Sequence, residues 1–394
     1  MDIGRRITRA GYVLAIVAMA VGLIGCDAIV SIWFDSDTPP IMEKEISIGV
    51  VSSLTGPYAE PYGLPMLRGF EMARDDINKV LDLTGQFGDA RLTFITVDDM
   101  STVDGAKAAV EELVNQEVSA IVGIPISTHL KAAVPIAQEN QIVAFSSLST
   151  AAGLSGIGDY IFRVALATDI LMPSGVMATH AKLGYQKVAM IYDQIDVYST
   201  SSYEELRKAL EANGVEILTV ESFQTGDTDF SAQLRKIKGL NPDALFISAL
   251  AQEVTEIMIQ GRALGIPASV HFIVPELSRY EVQKAGDAAE GVITFISWSR
   301  RSETPGNQDF VQNYQARYGI EPEPWAAQSY AALHILTDAI ARAESTDSTA
   351  IRDALAQTVD YPTILGNFSF DPNGEAMYAP IVLIARAGTL HPFE

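Results

Sequence analysis

Residues 91–124 read RLTFITVDDMSTVDGAKAAVEELVNQEVSAIVGI, and their reading decides the fold. RLTFITVDD is a β-branched run of strand length that closes on two aspartates. DGAKAAVEELVNQ spaces its apolar residues at three and four, the period of a helix. SAIVGI is apolar without alternation, as in a strand buried on both faces. Strand, helix and strand in so short a span make a βαβ unit, which sets its two strands parallel in one sheet.

The same unit recurs on either side. ISIGVVS (46–52) leads into the helical LRGFEMARDDINKVL (67–81), and LKAAVPIAQEN (130–140) into QIVAFS (141–146). A second series starts at YIFRVAL (160–166). It runs through a helix near 169–183, KVAMIYD, SYEELRKALEANG, VEILTVESF, FSAQLRKIKGL, DALFIS, a helix near 252–264 and SVHFIVP. GVITFISW (291–298) is followed by three helical stretches, QDFVQNYQARYG, WAAQSYAALHILTDAIARAES and TAIRDALAQT. ILGNFSFDPNG and YAPIVLIARAG close the chain as two strand-like runs joined by a Pro-Asn-Gly turn. The fold class is therefore α/β. Two βα series with a helical block after the second predict two lobes with parallel central sheets, and a chain that crosses between them more than once.

The amino end is of another kind. Arg5, Arg6 and Arg9 precede GYVLAIVAMAVG, an apolar run of signal-peptide length. It ends in Leu23-Ile24-Gly25-Cys26, which resembles a bacterial lipobox, and Cys26 is the only cysteine. Residues 1–25 are expected to be removed, leaving Cys26 as a lipidated N-terminus and residues 26–45 as a tether. That tether holds the apolar IVSIWF (29–34) and ends after Pro39-Pro40. Asp27 resembles the signal that retains enteric lipoproteins on the inner membrane. The expected location is the cell envelope, outside the cytoplasmic membrane and on its periplasmic face in a Gram-negative cell.

The 394 residues carry a net charge of −22, from 27 basic and 49 acidic side chains. Loss of the three arginines and Asp2 with the leader takes the charge to −24. Such a surface repels nucleic acid and anionic lipid.

Open parallel sheets bind ligands beyond the carboxyl ends of their strands. Five loops meet that rule: SLTGPYAEPYG with Tyr58 and Tyr62, IPISTHL with Ser127 and Thr128, SSLSTAAG with Ser146, Ser147, Ser149 and Thr150, DQIDVYS with Asp193, Asp196 and Tyr198, and PELSRY with Glu276. A helix start with hydroxyls suits a carboxylate, Glu276 suits an ammonium, and tyrosines make flat walls with a polar tip. A zwitterion meets all three, whereas phosphate would call for basic side chains. No G-x-S-x-G, G-x-G-x-x-G or Walker A motif occurs, and the five histidines (129, 180, 271, 334, 391) have no H-x-x-x-H spacing. Enzymatic function, a metal site and a cofactor are not expected. Asp98-Asp99 reads as a cap for the next helix or a solvated pair, and Ser127-Thr128 as a helix cap as well as a ligand contact.

In that order and spacing, IGVVSSLTGPYAEPYG, RGFEMARDDIN, the stretch 97–123, SSLST, DQIDVYS, TGDTDFSAQLRKIKGLNPDALFIS and GDAAEGVITFISW resemble the substrate-binding proteins of branched-chain amino-acid ABC importers. This is the leucine/isoleucine/valine-binding family with the type I periplasmic binding (Venus flytrap) fold. The resemblance covers nearly all of residues 46–394. It implies two Rossmann-like lobes, 46–166 plus 297–378 and 167–296 plus 379–394, linked by three crossovers. Its implied site has Ser127 holding a ligand carboxylate and the Leu148 carbonyl accepting from the ammonium. Ser149 and Thr150 add contacts from the same loop, Tyr198 closes over the ligand, Glu276 pairs with the ammonium, and Tyr62 walls the first lobe. Met100 and Ile126 stand where leucine-binding members carry a disulfide. Leu250 or Ala251 replaces a family tyrosine, which predicts a wider, more apolar pocket. Trp298 and Arg300 are further candidates for the cleft. The implied function is a monomeric, lipid-anchored receptor that hands an amino acid or related carboxylate to an ABC permease and its ATPase subunits. A sensory receptor of the same fold is the alternative.

Overall fold

The computed structural model describes residues 45–84 and 90–394. The leader at 1–25, Cys26, Asp27 and the 29–34 stretch lie outside the described residues. Among the described residues, no helix is long and apolar enough to cross a membrane.

The first sheet holds β1 (Glu45–Ser52), β2 (Arg91–Asp98), β3 (Ala120–Gly123), β4 (Ala144–Ser146) and β5 (Ile161–Arg163). Its order is β2-β1-β3-β4-β5 and every pairing is parallel. The first three crossovers are α-helical, α1 (Leu64–Thr84), α2 (Val103–Asn115) and α3 (Ser127–Glu139), and β4 reaches β5 through a loop with a 3₁₀ turn at Ser155–Ile157. β3 and β4 are buried throughout, as their unbroken apolar runs require. The Thr102 side chain caps α2 by accepting the Gly105 N–H at 3.0 Å, so Asp98 and Asp99 are not its cap. Asp98 instead ties down the β1 loop, accepting from Leu54 N–H and the Thr55 hydroxyl.

After β5 the chain enters the second lobe with α4 (Thr168–Leu183). There follow β6 (Lys187–Asp193), α5 (Val197–Ala212), β7 (Glu216–Phe223), α6 (Ser231–Leu240), β8 (Ala244–Ser248), α7 (Ala251–Ala263), β9 (His271–Ile273), α8 (Arg279–Ala285) and β10 (Ile293–Ile296). The chain then returns to the first lobe as α9 (Asn307–Tyr318), α10 (Pro324–Ala343) and α11 (Ser348–Leu355), with α10 packed along α1. Pro324 opens α10 at its first turn, where a missing N–H costs nothing.

The two closing runs do not pair with each other. β12 (Gly366–Phe370) lies in a small antiparallel sheet between β11 (Tyr361–Thr363) and β13 (Ala376–Met377). The second run, β14 (Ile381–Arg386), crosses back and pairs antiparallel with β10 and with β15 (Thr389–Pro392). The Pro-Asn-Gly turn thus joins β12 to the two-residue β13. The physical reason is burial: Leu383, Ile384 and Ala385 find an apolar face only on the second sheet, whose order is β15-β14-β10-β9-β8-β6-β7. The chain passes between the sheets three times, after β5, β10 and β13.

Candidate functional site

A cavity of about 480 Å³, its open mouth included, lies between the carboxyl ends of the two sheets. From the first lobe it is lined by Tyr62, Pro125, Ile126, Ser127, Leu148, Thr150 and Trp325. From the second come Tyr198, Leu250, Ala251, Val254, Glu276 and Glu281, with Val274, Pro275 and Leu277 flanking Glu276 and Ala249 beside Leu250.

The first-lobe side is assembled around one carbonyl. At the end of β3, Gly123 has φ +101°, and a Cβ there would stand 2.2 Å from the Val51 carbonyl oxygen. Ile124 follows at φ +53°, a strained setting for a β-branched residue. This reversal turns the Ile124 carbonyl toward the SSLST loop, where Ser149 Oγ donates to it at 2.9 Å and Ser146 Oγ at 3.3 Å. Ser127 then begins α3. The residue before the helix, Ile126, offers no side-chain cap, so Ser127 and Thr128 do not fill that role. Ser127 Oγ instead accepts the N–H groups of Thr150 and Ala151, each at 3.2 Å. Both lone pairs are then used, which leaves the hydroxyl hydrogen to donate. The first N–H groups of α3 lie beside it, unpaired within the helix by construction.

Arg163 holds this loop from beneath. It is fully buried, pairs with Glu375, and donates to the Ser149 carbonyl at 3.0 Å and the Ala151 carbonyl at 2.6 Å.

Across the cleft, Glu276 follows β9 with φ +58°, a second strained residue facing the first. Its Oε2 accepts the Thr150 hydroxyl at 2.7 Å, a bond that spans the two lobes. Burial pushes its carboxyl up to about 8, although the Thr150 and Tyr198 hydroxyls and the charge of Arg163 favour the ionised form. Tyr198 donates to the Pro275 carbonyl at 3.2 Å, and burial raises its phenol well above the ordinary value. Further bonds cross between the lobes beside the cavity, among them these. Tyr62 Oη accepts the Ala251 N–H at 2.8 Å. Thr128 Oγ1 donates to Asp196 Oδ1 at 2.7 Å and accepts the Val197 N–H at 2.9 Å.

Of the residues singled out in the sequence, Tyr62, Ser127, Leu148, Thr150, Tyr198, Leu250, Ala251 and Glu276 come together on the cavity wall. Ser149 does not; its hydroxyl is spent on Ile124, and it works as loop framework. Of the two tyrosines, Tyr58 packs edge-on to His129 at 5.7 Å, while Tyr62 reaches the cavity. His129 is buried against Asp99, with Nδ1 to Oδ2 at 3.0 Å. The small wall at Leu250 and Ala251 does not simply widen the pocket, because Tyr62 reaches across onto the Ala251 N–H. Trp298 and Arg300 line a separate cavity of about 420 Å³ beside the crossover, where Trp298 donates to Asn307 and Arg300 pairs with Glu321. Met100 is exposed and Ile126 lines the cavity.

Sequence reasoning missed Glu281, Trp325 and Arg163. Glu281 had a legible signal, since Ser278-Arg279-Tyr280-Glu281 spells a capping box. The box forms at the start of α8, with Ser278 N–H and O–H donating to Glu281 Oε2 at 2.8 and 2.6 Å. Trp325 and Arg163 sit in runs that read only as helix and strand.

A family model described as "Periplasmic binding protein" matches residues 45–386. The leucine-, isoleucine-, valine-, threonine- and alanine-binding protein of Pseudomonas aeruginosa is 25% identical over 334 residues, 84% of this chain and 87% of that one. Among solved structures, the leucine-binding protein LivK of Thermotoga maritima is similar with TM-score 0.82 and 26% identity, covering 89% of this chain and 98% of that one. LivJ of Streptococcus pneumoniae, solved with isoleucine, has TM-score 0.81 and 26% identity, covering 88% and 97%. With its two lobes, its interlobe cavity and a family match over most of its length, the chain belongs to the periplasmic binding protein family.

Proposed function

We propose that this protein captures a free amino acid between its lobes and presents it to an ABC importer. One observation carries the reading: the cavity faces a helix start and the Ser127 hydroxyl on one lobe, and a buried carboxylate on the other. Among the described residues, no lysine, arginine or histidine lines it. A ligand carboxylate takes the Ser127 hydrogen and the first N–H groups of α3. Its ammonium meets Glu276, with the Leu148 carbonyl beside it. The likeness to leucine- and isoleucine-binding proteins supports this class of ligand.

The bodies that move are 46–166 with 297–378 and 167–296 with 379–394. Ligand contacts come from both, so binding selects the closed arrangement. As a periplasmic binding protein the chain is not an enzyme; ATP hydrolysis belongs to its transport partners. The proposal includes a lipid anchor at Cys26, a monomeric receptor and a place on the outer face of the cytoplasmic membrane.

The test is titration calorimetry on the full chain purified in detergent, against the common amino acids. Saturable binding that weakens at least about tenfold in Glu276→Ala supports the reading, since a charge-assisted bond is lost. Binding unaffected by that substitution removes the ammonium assignment.

A further inference from the structure

Glu276 accounts for one ligand charge, yet a second carboxylate lines the same cavity. Glu281 is 3 % exposed and sits at the Tyr62 and Trp325 end, where its charge acts on the Tyr62 hydroxyl. Leu250, Ala251 and Val254 of the same lobe add apolar lining to the cavity. Ser278 satisfies one of the Glu281 oxygens. Among the described residues no basic side chain lines the cavity, and Arg279, two residues earlier, pairs with Glu323 at 2.9 Å and donates to Gln283 at 3.1 Å. The indole N–H of Trp325, on the same end, has no partner among the described residues.

An aliphatic ligand side chain pressed against this end would leave the Trp325 N–H without an acceptor and give the buried Glu281 carboxyl no further donor. Burying a polar group without a partner is costly, whereas a ligand hydroxyl or carboxamide, which both accepts and donates, would relieve it. We propose that Glu281 sets the specificity of the pocket, selecting amino acids whose side chain carries a hydroxyl or carboxamide donor over their aliphatic isosteres. This rests on the amino-acid reading above and narrows it.

Isosteric pairs give the test. The full chain in detergent is titrated with L-valine and L-threonine, and with L-leucine and L-asparagine. The expected result is threonine over valine and asparagine over leucine, each by about tenfold or more. Glu281→Met keeps side-chain length without an acceptor and is expected to erase both preferences. Ser278→Ala, which loses the helix cap but keeps the carboxylate, is expected to retain them. Valine and leucine binding as tightly as their polar partners overturns the assignment of Glu281, while leaving the amino-acid reading intact. Preferences that survive in Glu281→Met overturn it too. Where that variant fails to fold, the wild-type ratios decide. No binding by any amino acid overturns the broader reading itself.

Discussion

At the scale of single residues, strain and burial coincide at two positions where the lobes face each other. Ile124 and Glu276 both hold positive φ, one on each side of the cavity. Glu276 is also a titration probe. Its carboxyl is raised from 4.5 to about 8 by burial, so the folded state holds a proton that the unfolded chain releases. For such a group the stabilisation is complete below the unfolded value and is lost as pH rises through the folded one. The ligand-free protein is therefore expected to lose melting temperature between about pH 4.5 and 8, and Glu276→Gln to flatten part of that slope. Glu323, raised to about 7 by burial, titrates in the same window and accounts for a remainder. Calorimetric melting across pH, wild type against variant, checks this; parallel curves would contradict it. Because an ammonium favours ionised Glu276, ligand binding near neutral pH is expected to release protons. Titrations in buffers of different ionisation enthalpy would read that release. Arg163 makes a different prediction. Arg163→Met leaves Glu375 without its partner and two loop carbonyls without donors, a loss of about 3–5 kcal/mol for a broken buried pair. Urea unfolding measures it.

At the scale of elements, the wall that carries Tyr62 depends on one close approach. Residues Ala59–Gly63 form a π-helical turn ahead of α1, and a Cβ on Gly63 would stand 1.7 Å from the Ser53 carbonyl oxygen. Gly63→Ala must shift that turn and with it Tyr62. The expected cost is about 1–3 kcal/mol of stability, together with weaker ligand binding. A variant that melts and binds like wild type would show that the turn accommodates the methyl. Helix starts do the corresponding work in the second lobe. Asp196 caps α5 by accepting the Ser199 N–H at 2.8 Å, while its other oxygen takes the Thr128 hydroxyl from across the cleft. Thr128→Val removes both cross-cleft bonds of the hydroxyl, to Asp196 and from the Val197 N–H, and leaves the α5 cap in place. It is expected to speed ligand dissociation severalfold with little change in melting temperature, as stopped-flow release would show. Asp196→Ala loses the cap as well and is expected to cost about 1 kcal/mol.

At the scale of the whole molecule, two apolar sheets are joined by three passages of chain, and closure is held by a few polar bonds across the cleft. Thr150 to Glu276, Tyr62 to Ala251, Thr128 to Asp196, Ala152 to Ser201 and Arg279 to Glu323 each tie one lobe to the other. Each is worth about 0.5–1.5 kcal/mol net, so together they bias the closed form modestly and leave ligand to complete the shift. Small-angle scattering is expected to show contraction on adding ligand, and a smaller contraction in Thr128→Val. Equal dimensions with and without ligand would argue against closure as the binding step.

Local pattern determined the succession of strands and helices here, because hydrophobic period and turn residues act over a few positions. It also brought out much of the cavity wall, since ligands meet open sheets at strand ends and the loops after β1, β3, β4, β6 and β9 could be read as such. Only the tertiary structure decided which loop side chains turn inward. Ser149 and Ser127 share similar sequence surroundings, yet one is spent on the Ile124 carbonyl and the other stands on the cavity wall. Glu281 and Trp325 enter the site because α8 and the start of α10 converge from opposite lobes, across more than forty residues of chain. The fate of the last strand was decided the same way. Its apolar face had two sheets to choose from, and a choice between distant partners is made by packing, which no local run of residues records.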